Sequence, residues 1–229
     1  MSLITLYYFP TPNGRKVAIA LEEMRIPYTL EMVQIFANEQ LRPEYLDICP
    51  NGRIPALLDR AADGTRIPIF ESGAILLHLG RKSGEFYPVR HEGRRAWVDA
   101  WVFWQMAGLG PMSGQITWFT RAAAKPGRDP RDTSLALHRF TKEVRRLYGV
   151  LERQLAGREF ICDEYSIADM ASWPWVDQHH SYVGDLREFP NIRAWHARIA
   201  ARPAVERAMR LGLDRVQLPA PQAEPGADA

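Results

Sequence analysis

A chain of 229 residues with 46% hydrophobic and 24% charged positions has the make-up of an ordinary globular protein, long enough for one large domain or two small ones sharing an interface. A net charge of +2 excludes the strong field that nucleic acid calls for. The two cysteines, Cys49 and Cys162, are far apart and in no CxxC pattern, which excludes a disulfide framework and favours a reducing compartment.

No basic-then-apolar leader opens the sequence and no run of about 18 apolar residues occurs, so a cytoplasmic, unanchored protein is expected. The basic residues are almost all Arg, with Lys only at 16, 82, 125 and 142.

Residues 3–9 read as a buried strand: Leu3, Ile4, Leu6, Tyr7, Tyr8 and Phe9 are β-formers with little alternation. The run stops in Pro10-Thr11-Pro12-Asn13-Gly14, and a helical face begins at once, with apolar residues at 17, 19, 20, 21 and 24. A strand that ends in a turn and hands over to a helix N-terminus makes a seat for an anion. Residues 28–35 alternate and predict a second strand, parallel to the first because a helix joins them. Residues 39–48 predict a short, broken helix or an irregular loop.

The turn Asn51-Gly52-Arg53-Ile54-Pro55 then feeds a strand at 56–59. Asp63-Gly64 marks a tight turn, and 67–71 predicts a fourth strand in a hairpin with the third. Ser72 is the expected N-cap of the next helix, with Gly84 past its end.

From residue 92 no strand pattern remains. Trp97, Ala100, Trp101 and Trp104 keep helical spacing until Gly108, Gly110, Pro111 and Gly114 interrupt or kink the helix. Residues 118–132 predict a loop, and the stripe Leu137, Phe140, Val144, Leu147, Leu151, Leu155 predicts a long amphipathic helix over 134–155. Ser166-Ile167-Ala168-Asp169 is a capping box in its Asp form, opening a Trp-rich run over 166–183 that predicts a buried central helix. One or two helices follow over 190–211, broken near Pro203, and a disordered tail is expected over 218–229. The division expected is an α/β domain over 1–87, an all-helical domain over 92–212 and that tail.

This order resembles the cytosolic glutathione transferases, whose first domain has the thioredoxin fold. Four local motifs carry the resemblance: Thr11-Pro12-Asn13-Gly14, Asn51 to Pro55, Glu71-Ser72-Gly73-Ala74-Ile75, and Ser166 to Asp169, together covering roughly residues 3–210. Gln40-Leu-Arg-Pro-Glu-Tyr45, the stretch from Phe103 to Gln115 and Trp173-Pro-Trp175 are most similar to the bacterial nu class and its fungal nitrogen-regulator relatives. The resemblance implies an α/β thioredoxin-like domain followed by an all-α domain, glutathione as co-substrate, no metal, and a homodimer.

It also implies residue roles. Ile54, before Pro55, would pair its backbone with the cysteinyl unit of glutathione, as one added strand. Arg53 would reach the glycyl carboxylate, Glu71 the ammonium, and the helix end at Ser72 the γ-glutamyl carboxylate. Gln40 would close the pocket, and Arg146 resembles a basic residue lent across a dimer interface, though a solvated helix charge reads equally well. The thiol would then meet Thr11 and Asn13. A free thiol is only about 3% ionised at pH 7, and lowering its pKa by about two units makes thiolate the main form. The Thr11 hydroxyl, the Asn13 amide and bare helix-end N–H groups are all candidate donors. Tyr8 competes, because several transferase classes hold the thiolate with a first-strand Tyr.

Weaker candidates read as structural. Cys49 reads as a small packed residue, His179-His180 lacks metal-like partners, and Asp169 reads as a cap. The Trp97/Trp101/Trp104 stripe reads as interface and core, while Trp104, Met112, Gln115 and Trp118 could line a second-substrate pocket. The function expected is glutathione-dependent reduction of disulfides. Conjugation of glutathione to electrophiles and a non-catalytic glutathione-binding regulator are the alternatives.

Overall fold

The computed structural model describes residues 4–124, 127, 129 and 131–218. Strand β1 (Ile4–Tyr8) is parallel to β2 (Tyr28–Met32), with Ile4 opposite Tyr28 and Tyr8 opposite Met32. Ile4, Leu6 and Tyr8 point into the core while Thr5 and Tyr7 are only half-buried, the two-residue period of a strand.

Helix α1 (Pro12–Glu23) joins them. It starts two residues earlier than its apolar pattern, because Pro12 needs no N–H partner in the first turn and Thr11 caps it. After the single turn α2 (Pro43–Leu46), flanked upstream by 3-10 turns at Ile35–Ala37 and Glu39–Leu41, strand β3 (Ala56–Arg60) runs antiparallel to β1 and β4 (Arg66–Phe70) antiparallel to β3. The sheet order is β2-β1-β3-β4.

Helix α3 (Ser72–Ser83) packs on α1 and the last two strands. The opposite face carries a small cluster of Val33, Tyr45, Ile48, Cys49 and Ala56. This is the thioredoxin-like half expected from the order of strands and helices. One detail is corrected: Glu71, not Ser72, is the capping residue, and Ser72 is the first residue of the helix.

All later elements are helical or irregular among the described residues, apart from an isolated bridge between Cys162 and Glu164. Helix α4 (Glu92–Trp104) runs through one π-helical turn, Gln105–Leu109, into α5 (Gly110–Ala123). The glycines and Pro111 bend this rod instead of breaking it, and α5 occupies the first part of the stretch expected as a loop. Residues 125, 126, 128 and 130 of that loop, and 219–229 of the expected tail, lie outside the described residues.

Helix α6 (Arg131–Gln154) starts three residues before its predicted stripe. Helix α7 (Ile167–Val176) is shorter than predicted, and 3-10 residues His179–Ser181 follow it. Helices α8 (Pro190–Ala200) and α9 (Pro203–Arg210) are separated at Ala201 and Arg202. No helix among the described residues is long and apolar enough to cross a membrane.

Helix α7 is the hub of this half. Nine of its ten residues are buried. Its capping box is complete, and Asp169 goes further than a cap. Its carboxylate accepts from Ile161 N (3.0 Å), Ser166 N (3.0 Å) and Oγ (3.3 Å), and Trp195 Nε1 (2.8 Å). Burial pushes its pKa up to about 6, held down by these donors, so it is ionised at neutral pH.

The two halves meet along α1. Its buried stretch Val17–Leu21 faces the core, and α7 and α9 pack against it. Glu23 takes a two-pronged pair from Arg202 (2.5 and 3.0 Å), whose guanidinium lies 3.9 Å over the Tyr165 ring. The side chain of Gln34 clasps the backbone at Arg215 and Gln217, which lays the C-terminal segment over the end of β2.

Candidate active site

The turn at Thr11–Gly14 is held by its own atoms. Thr11 is extended (φ −92°, ψ 164°), and its hydroxyl accepts from Gly14 N–H at 3.3 Å. The hydroxyl proton is left to donate elsewhere. A Cβ at Gly14 would stand 2.2 Å from the Phe9 carbonyl oxygen, so only glycine lets the chain fold back here.

Asn13 is oriented from the other half of the molecule: its Oδ1 accepts from Trp175 Nε1, on α7, at 2.9 Å. An indole N–H can only donate, so the bonded atom is the amide oxygen. The two N–H bonds of the Asn13 amide are thereby left for another acceptor.

Asn13 stands where two clefts meet. The first, about 440 Å³, brings together Asn13, Arg53, Ile54, Glu71 and Ser72, five of the residues singled out in the sequence. The Ile54–Pro55 bond is cis, and among the described residues the N–H and C=O of Ile54 make no hydrogen bond. Glu71 is a non-glycine residue at φ +69°, a conformation that costs about 1–3 kcal/mol and is tolerated where the surroundings dictate it. Asn51 Nδ2 reaches its carboxylate at 3.4 Å.

The second cleft, about 290 Å³, shares Asn13, Glu71 and Pro111 with the first and continues between the halves past Lys16, Gln105 and Gln115. Gly73 makes the close approach of the halves possible, because a Cβ there would stand 2.8 Å from Met106 Cγ.

Other expected residues lie elsewhere. Gln40 sits in the second 3-10 turn and lines neither cleft; its Oε1 is buried without a partner among the described residues. Arg146 is exposed on α6 and paired with Glu143 at 2.7 Å, so in this chain it does not reach either cleft. Of the four second-pocket candidates only Gln115 lines a cleft. Trp104 stacks edge-on with Trp101, Met112 packs on the core, and Trp118 is largely exposed. Cys49 does line the first cleft, but it is buried and its thiol donates to the Arg53 carbonyl at 3.2 Å, which stiffens the Asn51–Pro55 turn. His179 bonds the Gly184 carbonyl, and no group of three or more metal-binding side chains occurs among the described residues.

Tyr8 is wholly buried, lines neither cleft, and burial pushes its phenol up to about 12, against the pull of Arg15. Tyr8→Phe is therefore expected to leave the pKa of a bound thiol within about 0.3 units of wild type, read from thiolate absorbance. A rise of about one unit or more would restore Tyr8 as the donor.

Sequence reasoning missed three residues of this site. Trp175 orients Asn13, and Lys16 and Gln105 form the floor of the second cleft. Lys16 is 1% exposed, and its Nζ donates to Gln105 Oε1 at 2.5 Å, Ser72 Oγ at 3.3 Å and Met106 Sδ at 3.4 Å. Burial lowers its pKa to about 7, with the Glu71 carboxylate opposing. The one sequence signal was its rarity, one of four lysines in an Arg-rich chain, since the Arg15-Lys16 pair by itself reads as solvent-facing.

A thioredoxin-like half with a cis-proline turn, a helix-end seat and an oriented amide, closed by a helical half, defines a class, and the comparisons agree with it. The profile described as glutathione S-transferase, N-terminal domain, matches residues 11–82, and that for the C-terminal domain matches 118–203. The chain belongs to the glutathione S-transferase family.

Among curated proteins it is similar to the disulfide-bond oxidoreductase YfcG of Escherichia coli, 44% identical over 211 residues that cover 90% of this chain and 94% of the relative. YghU, a disulfide-bond oxidoreductase of the same organism, is 34% identical over 89% of this chain and 73% of its own. Among solved structures, a glutathione transferase of Burkholderia graminis with two glutathione molecules bound per subunit is 42% identical with a TM-score of 0.83, covering 90% of this chain and 87% of that one.

Proposed function

We propose that this protein reduces disulfides with glutathione and that the thiolate forms at the Thr11–Gly14 turn. The observation that carries this reading is the Trp175–Asn13 bond, which fixes an amide donor at the junction of the two clefts. The first cleft offers a tripeptide what its ends need: Arg53 and the α3 end for its carboxylates, Glu71 for its ammonium, and the free backbone of Ile54 for its middle. The thiolate attacks one sulfur of the disulfide, the S–S bond breaks, and the distal sulfur leaves as a thiolate that takes a proton from solvent. A second glutathione thiolate then attacks the glutathione sulfur of the mixed disulfide, forming oxidised glutathione as the remaining substrate sulfur leaves as a thiolate and is protonated by solvent.

The turn carries no cysteine of its own, and the Cys49 thiol at the first cleft is buried and bonded to the Arg53 carbonyl, so both reducing thiols come from glutathione. YfcG and YghU are named disulfide-bond oxidoreductases, and the Burkholderia graminis relative holds two glutathiones per subunit. Within the family, the motifs of Gln40–Tyr45, Phe103–Gln115 and Trp173–Trp175 support placement in the nu class.

The polar floor of the second cleft, with Lys16, Gln105 and Gln115, suits a second peptide or a polar disulfide better than an apolar electrophile. Parallel assays with bis(2-hydroxyethyl) disulfide and a chlorinated dinitrobenzene test this. Faster turnover of the disulfide is expected. Faster conjugation of the haloarene would assign the protein to transfer, and binding of glutathione without either activity would make it a regulator.

We also propose a cytoplasmic homodimer, with domains over 1–87 and 92–212 and Arg146 reaching towards the neighbour's site. Trp97, Phe103 and Trp118, exposed on α4 and α5, favour a covered surface there.

A further inference from the structure

At the bottom of the second cleft, Lys16 Nζ meets three acceptors, Ser72 Oγ from α3 and Gln105 Oε1 and Met106 Sδ from the π turn, and the Glu71 carboxylate favours its charge. These are the surroundings of an ammonium, and an ammonium can only donate. The Gln105 amide must therefore turn its oxygen to Lys16, at 2.5 Å, and its NH2 the other way. Gln105 is wholly buried, and its Nε2 has no hydrogen-bond partner among the described residues. A buried amide nitrogen without an acceptor is costly, and native proteins keep few of them.

The chain around that amide is built to keep it accessible to a ligand. Gln105 opens the π turn between α4 and α5, a geometry rare in helices and frequent at functional sites. Gly110 leaves room beside it: a Cβ there would stand 2.7 Å from Gln105 Nε2 and 3.3 Å from Trp175 Nε1. The Gln105 NH2 thus stands close to the indole that holds Asn13. Asn13 lines both clefts, whereas Gln105 lines the second alone.

Thiol–disulfide exchange makes two demands on such donors. Negative charge fades from the attacking sulfur as the new S–S bond forms and collects on the distal sulfur as the old bond breaks. In an in-line displacement these two sulfurs are two S–S bond lengths apart, roughly 4 Å. An amide at the junction of the clefts serves the first, and one deeper in the second cleft serves the other. From this geometry, and resting on the disulfide reduction proposed above, we infer that Gln105 is a catalytic residue whose Nε2 donates to the sulfur that leaves. The glutathione sulfur bonds to the near sulfur, the S–S bond breaks, and its electron pair stays on the distal sulfur. The Gln105 NH2 holds that thiolate by hydrogen bonding until solvent protonates it, and gives up no proton itself. Lys16 is a positioning residue: its ammonium fixes the orientation of the amide and polarises its N–H bonds.

Two uncharged disulfides of similar size test this role. Bis(2-hydroxyethyl) disulfide releases an ordinary alkyl thiolate. Bis(2,2,2-trifluoroethyl) disulfide releases a thiolate that its fluorines already stabilise, so it needs a donor less. The quantity read is kcat/KM for each at saturating glutathione, and the ratio of the two, fluorinated over alkyl. In wild type that ratio is expected to be at least about threefold smaller than for glutathione reacting in water, because the protein helps the poorer leaving group more.

Gln105→Met, close in shape and without a donor, should slow the alkyl disulfide about 10–100-fold and the fluorinated one at least about fivefold less, so that the ratio climbs back towards its value in water. Gln105→Glu keeps an acceptor for Lys16 and loses the NH2, and it should raise the ratio as well. A folded variant that slows both disulfides by the same factor makes Gln105 a support for the π turn and overturns its catalytic role, while disulfide reduction stands. Should Gln105→Met fail to fold, Gln105→Glu decides. With neither folded, the wild-type ratio decides alone, and a value equal to that in water overturns the role. If wild-type protein accelerates neither disulfide, the proposed reduction itself is wrong and the role of Gln105 falls with it.

Discussion

Asn13→Ala is expected to slow glutathione-dependent disulfide reduction about 10–100-fold while changing the apparent affinity for glutathione little. The magnitude follows from one hydrogen bond to a charged acceptor, worth about 1.5–3 kcal/mol. The split between rate and affinity follows from geometry, because Arg53, Ile54, Glu71 and Ser72 line the first cleft independently of the amide. A second cost comes from α7, where the Trp175 indole loses its acceptor. Asn13→Asp separates the two effects. Its carboxylate can still accept from Trp175 but offers no N–H and places a negative charge beside the sulfur, so the bound thiol pKa should rise further than with Ala. Steady-state rates and a thiolate titration read both quantities. An Asn13→Ala enzyme within twofold of wild type would shift the work to Thr11 or to the bare helix end.

The second large effect is on folding. Asp169→Ala is expected to destabilise the protein by about 3–5 kcal/mol, because several buried donors are left unsatisfied at about 1–3 kcal/mol each. The four donors from Ile161, Ser166 and Trp195 would lose their common acceptor in a place from which water is excluded. Because whole-protein stability is about 5–15 kcal/mol, this is a large share, and a fall in Tm of roughly 10 °C is expected for a chain of this size. Asp169→Asn should cost less, since it keeps an acceptor oxygen. Thermal unfolding followed by circular dichroism measures all three proteins, and an Ala variant within about 1 kcal/mol of wild type would show that Ser166 alone suffices as a cap.

The parallel pairing of β1 with β2 and the β3–β4 hairpin could be read from short links and turn residues, because these are local rules; the antiparallel pairing of β1 with β3, which sets the sheet order, joins distant segments and could not. The turn at Thr11–Gly14 and the pair Glu71-Ser72 were visible for the same reason, as breaks between periodic runs. What was hidden depends on which atoms meet across the two halves. Lys16 lies on a helix face whose pattern alone gives a lysine to solvent. Trp175 belongs to a run that is apolar on nearly every face, so nothing in its period tells the indole that faces Asn13 from Trp173, which bonds the His196 carbonyl. The capping position of Glu71 escaped because a positive φ at a glutamate contradicts its local preference, and the rule that Ser caps helices moved the boundary by one residue. The π turn escaped because Gly108, Gly110 and Pro111 argue for a break, whereas packing on α6 and α7 keeps the rod continuous.

The bond from Trp175 to Asn13 has a meaning for inheritance. The sulfur's partner is supplied by one half of the chain and aimed by the other. A recombinant that joins this thioredoxin-like half to the helical half of a distant relative would keep the tripeptide seat, yet lose chemistry unless an indole, or another donor of the same reach, came with it. Reactivity here is heritable only as a pair, and substitutions at positions 13 and 175 constrain each other across an intervening 161 residues of sequence.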